Sequence, residues 1–298
     1  VSLLEDCHTM KVFDTTIKET LNGHLGALEK HFDADVVFYY GEIHQFMAKP
    51  FRDFIEPLRH GDAPKHRLVM FVNTPGGSAE AVEKIVEIIR FHYSEVFFVV
   101  PDMAMSAGTI LCMSGDKIYM DYSSALGPID PQVYNGKDWV PALGYLDKVD
   151  QLLERARNNS ISNAEFLILQ GIDLAMLSRY EQARDLTITL LKKWLVEYKF
   201  KDWATHGTTP EKFGKPVTPV EKSERAEDVA KLLGDNKLWH SHGRMIGPAT
   251  LRDLLRLKID DYSHDATLRA LVRAYNDLLV EYIARSDYKF FMHSRTYF

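Results

Sequence analysis

The chain has 298 residues, enough for one large or two small domains, and its 46% apolar and 26% charged content is that of a globular protein. Its 36 basic and 42 acidic residues leave a net charge of −6, which argues against a nucleic-acid binder working through a basic surface. Two distant cysteines, Cys7 and Cys112, stand in no metal-ligand spacing; they argue against a disulfide framework and fit a reducing compartment.

Val1 to Lys18 carries Glu5, Asp6, His8, Lys11 and Asp14, and lacks the apolar core a signal peptide needs. No run of about 18 apolar residues occurs anywhere, so no membrane insertion is expected and the location reads as cytoplasmic. Thr9–Lys30 predicts a polar helix with Val12, Ile17, Leu21, Leu25 and Leu28 near helical spacing. Asp35–Tyr40, a β-branched and aromatic run bounded by Gly41, predicts a strand. Ile43–Leu58 reads as helical, interrupted by Pro50 and Pro57. Arg67–Val72 predicts a second strand, closed by a Pro-Gly-Gly turn.

Ser78–Tyr93 predicts an amphipathic helix, with Val82, Ile85, Val86, Ile89 and His92 on one face. Val96–Val100 is a continuous apolar strand, as expected where both faces are covered. Ser106–Met113 reads as a short apolar helix and Lys117–Met120 as a fourth strand. This alternation predicts an α/β fold with a mainly parallel sheet.

The pattern becomes helical after Pro131, with Pro141–Asn158, a capped segment at Ser162 and Glu165, and Leu174–Tyr198 as the longest helix. The Pro- and Gly-bearing stretch Lys201–Pro219 reads as a loop, with His206 on its surface. Thr218 and Glu221 signal a cap for a charged helix through Leu233. Short extended pieces at Gly243–Ile246 and Leu257–Ile259 flank a helix at Pro248–Leu255, and Leu268–Tyr282 marks the last amphipathic helix. The organisation reads as one domain, 1–298, with an α/β core at 1–135, a helical segment at 136–235 and a C-terminal α/β extension at 236–298.

Two turns suit acyl-transfer chemistry. Ser106 follows an apolar strand and opens a helix, whose N-terminus offers free N–H groups and a favourable dipole to an anion. Gly76 and Gly77 follow another buried strand, adopt dihedrals closed to side chains and expose N–H groups. Together with the Ala107 N–H they are suited to an oxyanion hole. Read singly, each motif is better explained structurally, Ser106 as a helix N-cap and Gly76-Gly77 as a plain turn before a helix capped by Ser78.

Asn73-Thr74-Pro75-Gly76-Gly77-Ser78, then a helix, an apolar strand, Met105-Ser106-Ala107-Gly108-Thr109 and Gly115–Ile118, closely resembles the Clp-fold serine peptidases, with their ClpP/crotonase-like fold. Leu126–Pro131, Tyr180–Leu186 and Trp239–Arg244 look most like the serine dehydrogenase proteinase branch, related to signal peptide peptidase A and the Clp proteolytic subunit. The specific motifs cover Asn73–Gln132. The resemblance implies Ser106 as nucleophile, Gly76, Gly77 and Ala107 around the oxyanion, with Gly77 the preferred turn donor, and Leu126, Gly127, Pro128 and Ile129 along the substrate groove.

The Clp proteolytic subunit carries a histidine base downstream of its serine, but the corresponding stretch here, Pro128–Gln132, has none. Signal peptide peptidase A uses a serine–lysine dyad, and Lys148, 42 residues after Ser106, fits that role. The alternative for Lys148 is a solvated residue paired with Asp147 or Asp150. Lys137, beside the Asn135-Gly136 turn, His240 and His242 are further candidate bases, and Tyr122, Ser123, Ser124 and Asp130 are candidates for orienting a lysine. His240-Ser241-His242 resembles a metal pair, but no third ligand is nominated, so no metal or other cofactor is expected.

The reading is of a serine peptidase acting on peptides or unfolded protein, a homo-oligomer by resemblance, compatible with a separate unfoldase or membrane partner. A crotonase-type acyl-CoA enzyme and a non-catalytic scaffold or regulatory subunit are the rival readings.

Overall fold

Helix α1 spans Ser2–Phe32 in the computed structural model, which describes residues 2–60, 64–134, 137, 139–207 and 210–298, the side chains of 2–11 and 139 set aside. The helix starts before the predicted Thr9 because nothing in Ser2–His8 breaks it, and its 31 residues exceed the helix expected to be longest. Strand β1 (Asp35–Gly41) follows, then a 3₁₀ turn leads into α2 (Ala48–Ile55). Pro50 does not interrupt this helix. It sits in the first turn, where its missing N–H is not needed, whereas Pro57 coincides with the change to 3₁₀ that ends α2.

The alternation continues through β2 (Arg67–Asn73), α3 (Ala79–His92), β3 (Glu95–Val100), β4 (Met103–Ala104), α4 (Ala107–Met113), β5 (Lys117–Met120) and β6 (Ala125–Leu126). Next come β7 (Gln132–Tyr134), β8 (Trp139–Pro141), α5 (Ala142–Arg157), α6 (Asn163–Gln170), α7 (Leu174–Trp194), α8 (Pro219–Gly234) and α9 (Asn236–Trp239). The chain closes with α10 (Pro248–Asp253), β9 (Asp260–Asp261), α11 (Ala266–Arg285) and β10 (Phe290–His293).

The chain divides into two compact units, Val1–Leu126 with Ile246–Phe298, and Gly127–Met245. These limits differ from the segmentation at 135 and 236 because Ile246 returns to the first unit. Its N–H donates to Leu126 O at 2.8 Å and its carbonyl accepts from Leu126 N–H at 3.0 Å.

In the first unit six strands form one sheet, ordered β10-β1-β2-β3-β5-β9 and parallel except for β10. Alternate residues Val36 and Phe38, Val69 and Phe71, and Phe97 and Val99 join a core with Leu21, Leu25 and Leu28 of α1. Leu268, Val272, Tyr275, Leu279 and Ile283 supply the stripe of α11, at helical spacing. The intervening Val37, Met70 and Phe98 are also fully buried, as in a parallel sheet covered on both faces. Leu279→Ala would cost ~2–5 kcal/mol by opening a cavity in this core.

The second unit is helical. Ser162 with Glu165, and Thr218 with Glu221, each form the reciprocal capping box that their spacing predicts. The α7 stripe is truncated at Trp194 and passes into a π turn, Leu195–Lys199. His206 is buried rather than on the surface, its Nε2 lying 3.2 Å from Glu221 Oε1. Helix α6 buries none of its residues and leaves Phe166, Leu167 and Ile168 exposed.

β10, absent from the sequence reading, brings His293 into the core. Its Nδ1 lies 2.8 Å from Tyr275 Oη and its Nε2 3.2 Å from Asn22 Oδ1, and burial lowers its pKa to about 4. The folded state thus resists protonation more than the unfolded chain, whose histidines titrate near 6.5. Stability present above about 6.5 is therefore lost as pH falls through about 4, by up to ~3 kcal/mol. Urea unfolding at pH 7 and pH 5 should show a smaller acid loss in His293→Gln than in the wild type; equal losses would contradict the assignment.

Candidate active site

β2 and β3 are neighbouring parallel strands, so their carboxyl ends open at the same edge of the sheet, where α/β folds place ligands. The turn after β2 runs from Asn73 to Ser78, and the segment after β3 runs from Pro101 to Ser106. Thr74 N–H donates to Met103 O at 3.1 Å and Met105 N–H donates to Thr74 O at 3.0 Å, which ties the two together. Within its own turn, Thr74 Oγ1 accepts from Gly76 N–H at 3.1 Å. Thr109 Oγ1 donates to Ala104 O at 2.8 Å and fixes α4 to β4.

This stitching presses Gly76 against Ser106. Gly76 has φ +114°, and a β-carbon there would lie 2.8 Å from Ser106 Cβ and 3.0 Å from Met105 O. Any side chain would drive the turn off the serine. Gly77 is fixed from the other side. Ile43 N–H donates to Gly76 O at 2.8 Å, and Ile43 O accepts from Ser78 N–H at 2.9 Å. In this bridge the bonded groups belong to Gly76 and Ser78, so the Gly77 N–H points to the opposite edge, with no acceptor among the described residues. The Ala107 N–H, in the first turn of α4, likewise has none.

Ser106 has φ 51° and ψ −115°, a strained conformation for a residue with a side chain. Such strain costs ~1–3 kcal/mol and persists only where the surroundings over-determine it. The serine stands at the N-cap position of α4 yet makes no capping hydrogen bond. Ser78, by contrast, caps α3 by accepting from Ala81 N–H at 3.1 Å. Ser106 thus occupies the N-cap position without capping the helix, and the residue is half-exposed.

The first unit thus brings together Gly76, Gly77, Ser106 and Ala107. Leu126 is buried and paired with Ile246; Gly127, Pro128 and Ile129 are buried too, Ile129 N–H donating to Leu233 O at 3.0 Å. Lys148 is exposed on α5 in the second unit, and Asp147, one of its expected partners, is taken by Lys237 at 2.7 Å. Lys137 is exposed, while the Asn135-Gly136 turn beside it lies outside the described residues. His240 ends α9 in a left-handed conformation with φ 61°.

His242 is placed differently. Its Nδ1 lies 2.8 Å from Asp130 Oδ1, and Asp130, only 1% exposed, accepts from Gln132 Nε2 at 2.9 Å. A carboxylate on Nδ1 leaves Nε2 for other work. This pair joins residues 112 positions apart, a distance no local pattern reveals. Tyr122, Ser123 and Ser124 belong to the turn after β5, where Ser123 Oγ and Arg273 both donate to Asp121. Among the described residues no group of three His, Cys, Asp or Glu side chains is placed to hold a metal, so His240 and His242 gain no third ligand. A cavity of about 500 Å³ lies within the second unit, lined by Ile129, Leu143, Arg184, Ile188, Lys231 and Asn236 among others, and includes none of the serine turn. Among the described residues no helix is long and apolar enough to cross a membrane.

Residues 43–229 match the model of the ClpP-like SDH-type serine proteinases. The chain belongs to this family. The SDH-type match opens at Ile43, the residue that brackets Gly77, and contains both turns. It carries with it the ClpP-like α/β fold. An uncharacterized protein of Methanocaldococcus jannaschii is 30% identical over 199 residues, 66% of this chain and 54% of the relative, so the chain spans about half that relative's length. The ATP-dependent Clp protease proteolytic subunit of Lactococcus lactis subsp. cremoris is 46% identical over 50 residues, 17% of this chain and 25% of the relative. A solved structure of the membrane-bound stomatin-specific protease 1510-N matches 80% of this chain and 83% of its own, at 13% identity and a TM-score of 0.45.

Substituting Ser106 by glycine should raise the unfolding free energy by ~1 kcal/mol, because glycine relieves the strained φ. Gly76→Ala should lower it by ~2 kcal/mol or more. Urea unfolding reads both changes, and a destabilised Ser106→Gly would show that the turn stores no strain.

Proposed function

We propose that the protein is a serine peptidase in which Ser106 is the nucleophile. The observation that carries this is the strained serine, uncapped and pressed against Gly76, in a chain of the SDH-type serine proteinase family. Ser106 Oγ attacks the peptide carbonyl carbon while a base takes its proton. The Gly77 and Ala107 N–H groups hold the oxyanion that forms, and Gly76 keeps the turn close. The base returns its proton to the leaving amine as the C–N bond breaks. Water then attacks the acyl-enzyme carbonyl, giving its proton to the same base, which passes it to Ser106 Oγ as the acyl C–Oγ bond breaks.

The base we propose is Lys148, which completes a serine–lysine dyad. A second reading is favoured by one contact, the hydrogen bond between His242 and the buried Asp130, which holds an imidazole in the manner of a general base. Leu126, Gly127, Pro128 and Ile129 wall the substrate groove in either case. The substrates are short or unfolded peptides, and the enzyme works as a cytoplasmic homo-oligomer. A separate unfoldase or membrane partner would be needed to deliver folded proteins.

Ser106→Ala should abolish hydrolysis of an unfolded protein substrate such as fluorescein-labelled casein and leave the fold intact by circular dichroism. Full activity in that variant would remove the nucleophile. Comparing Lys148→Ala with His242→Ala then identifies the base, since loss of the proton acceptor costs ~10²–10⁴-fold in kcat. The dyad reading expects the large loss at Lys148; a large loss at His242 with Lys148→Ala near wild type would overturn it.

A further inference from the structure

Asp102 stands between β3 and β4, four residues before Ser106. Its Oδ2 accepts two amides, Asn73 Nδ2 at 2.9 Å and Asn276 Nδ2 at 3.0 Å. Asn73 is the last residue of β2, three before Gly76. Asn276 belongs to α11, next to Tyr275, whose buried ring meets Phe71 of β2 edge-on at 5.4 Å. One carboxylate oxygen thus joins the glycine turn, the serine segment and the helix packed beneath them.

Asn276 is only 3% exposed, yet its Oδ1 has no hydrogen-bond partner among the described residues. Its Nδ2 has a single strong acceptor, Asp102, and a long contact of 3.4 Å to Asp277. A buried amide serving only the core would be better replaced by an apolar side chain, because its orphaned oxygen is costly. The amide makes sense as a donor aimed at Asp102. Strain at Ser106 needs over-determining surroundings, and among the described residues two backbone hydrogen bonds tie Thr74 to the serine segment. Asp102 supplies the additional tie.

We infer that Asp102, held by Asn73 and Asn276, is a positioning residue that sets the spacing between the Gly76-Gly77 turn and Ser106. This rests on the peptidase reading for its catalytic consequence, but not for its structural one. An oxyanion hole works only when its donors are fixed before charge develops. Asp102 would therefore act on the transition state and leave ground-state peptide binding alone.

The test pairs kinetics with hydrogen exchange on the full chain. Asp102→Ala should lower kcat on an unfolded substrate by roughly tenfold to a hundredfold with KM little changed. Asn276→Ala should do the same, and the double variant should lose little more than either alone, because both remove one linkage. Asp102→Asn should restore most of the rate, since its amide oxygen can accept both donors. In Asp102→Ala, amide exchange should quicken at Thr74, Gly76 and Met105, while amides within β1 keep wild-type rates. If the wild type is inactive but these amides loosen, the peptidase reading falls and the positioning role stands. If Asp102→Ala keeps both its rate and its exchange pattern, the positioning role falls. Global loosening that Asp102→Asn does not reverse would also overturn it, in favour of a purely structural part.

Discussion

A β-carbon at Gly76 would meet Ser106, and a β-carbon at Gly77 would meet the Ile43 carbonyl at 2.2 Å. Those two approaches fix where the turn after β2 stands. The serine segment reaches it because β2 and β3 are adjacent and parallel, and Thr74 bonds to residues on either side of Ala104. The sheet is thus a device for bringing two strand ends into contact. Its cost is the backbone strain at Ser106, which α4, β4 and the glycine turn hold in place.

That strain is held against a packed, buried core. The α1 and α11 stripes cover one face of the sheet, and the buried Asp35 carboxylate ties the C-terminal tail to it. Asp35 accepts from Arg295 Nη1 at 2.6 Å and from Tyr93 Oη at 2.8 Å. A buried charge is stable only when paired and hydrogen-bonded in this way. β10 and Arg295 therefore brace β1, the neighbour of β2, whose carboxyl end leads into the glycine turn. The second unit carries both bases under consideration, Lys148 exposed on a helix and His242 fixed by Asp130.

Much of this arrangement could be read from local pattern. Ser162–Glu165 and Thr218–Glu221 announce their helices because a capping box is complete within four residues. The strands β1 to β3 read clearly because burial on both faces leaves an unbroken apolar run. Gly76, Gly77 and Ser106 read locally as turn and helix-start residues; that the turn faces the serine came from the family resemblance, and the strand order that produces the contact was not legible. What escaped has long-range causes. β10 is four residues that become a strand only against β1, and β4 and β6 are two residues each, held by one another. His206 reads as a loop residue and is buried by Glu221. His242 and Asp130 share no motif; the fold alone makes them a pair. The failed cap at Ser106 was equally hidden, because a serine at a helix start looks the same whether or not it caps.

In the proposed reaction the hydroxyl of Ser106 is an activated nucleophile beside a preformed oxyanion hole. The most direct test of this assignment is treatment of the full chain with a fluorophosphonate, followed by intact-mass measurement and peptide mapping. A single adduct on Ser106 is expected, lost when the protein is denatured before treatment. An unmodified Ser106, with peptidyl-aldehyde inhibition also absent, or an adduct on another residue, would contradict it.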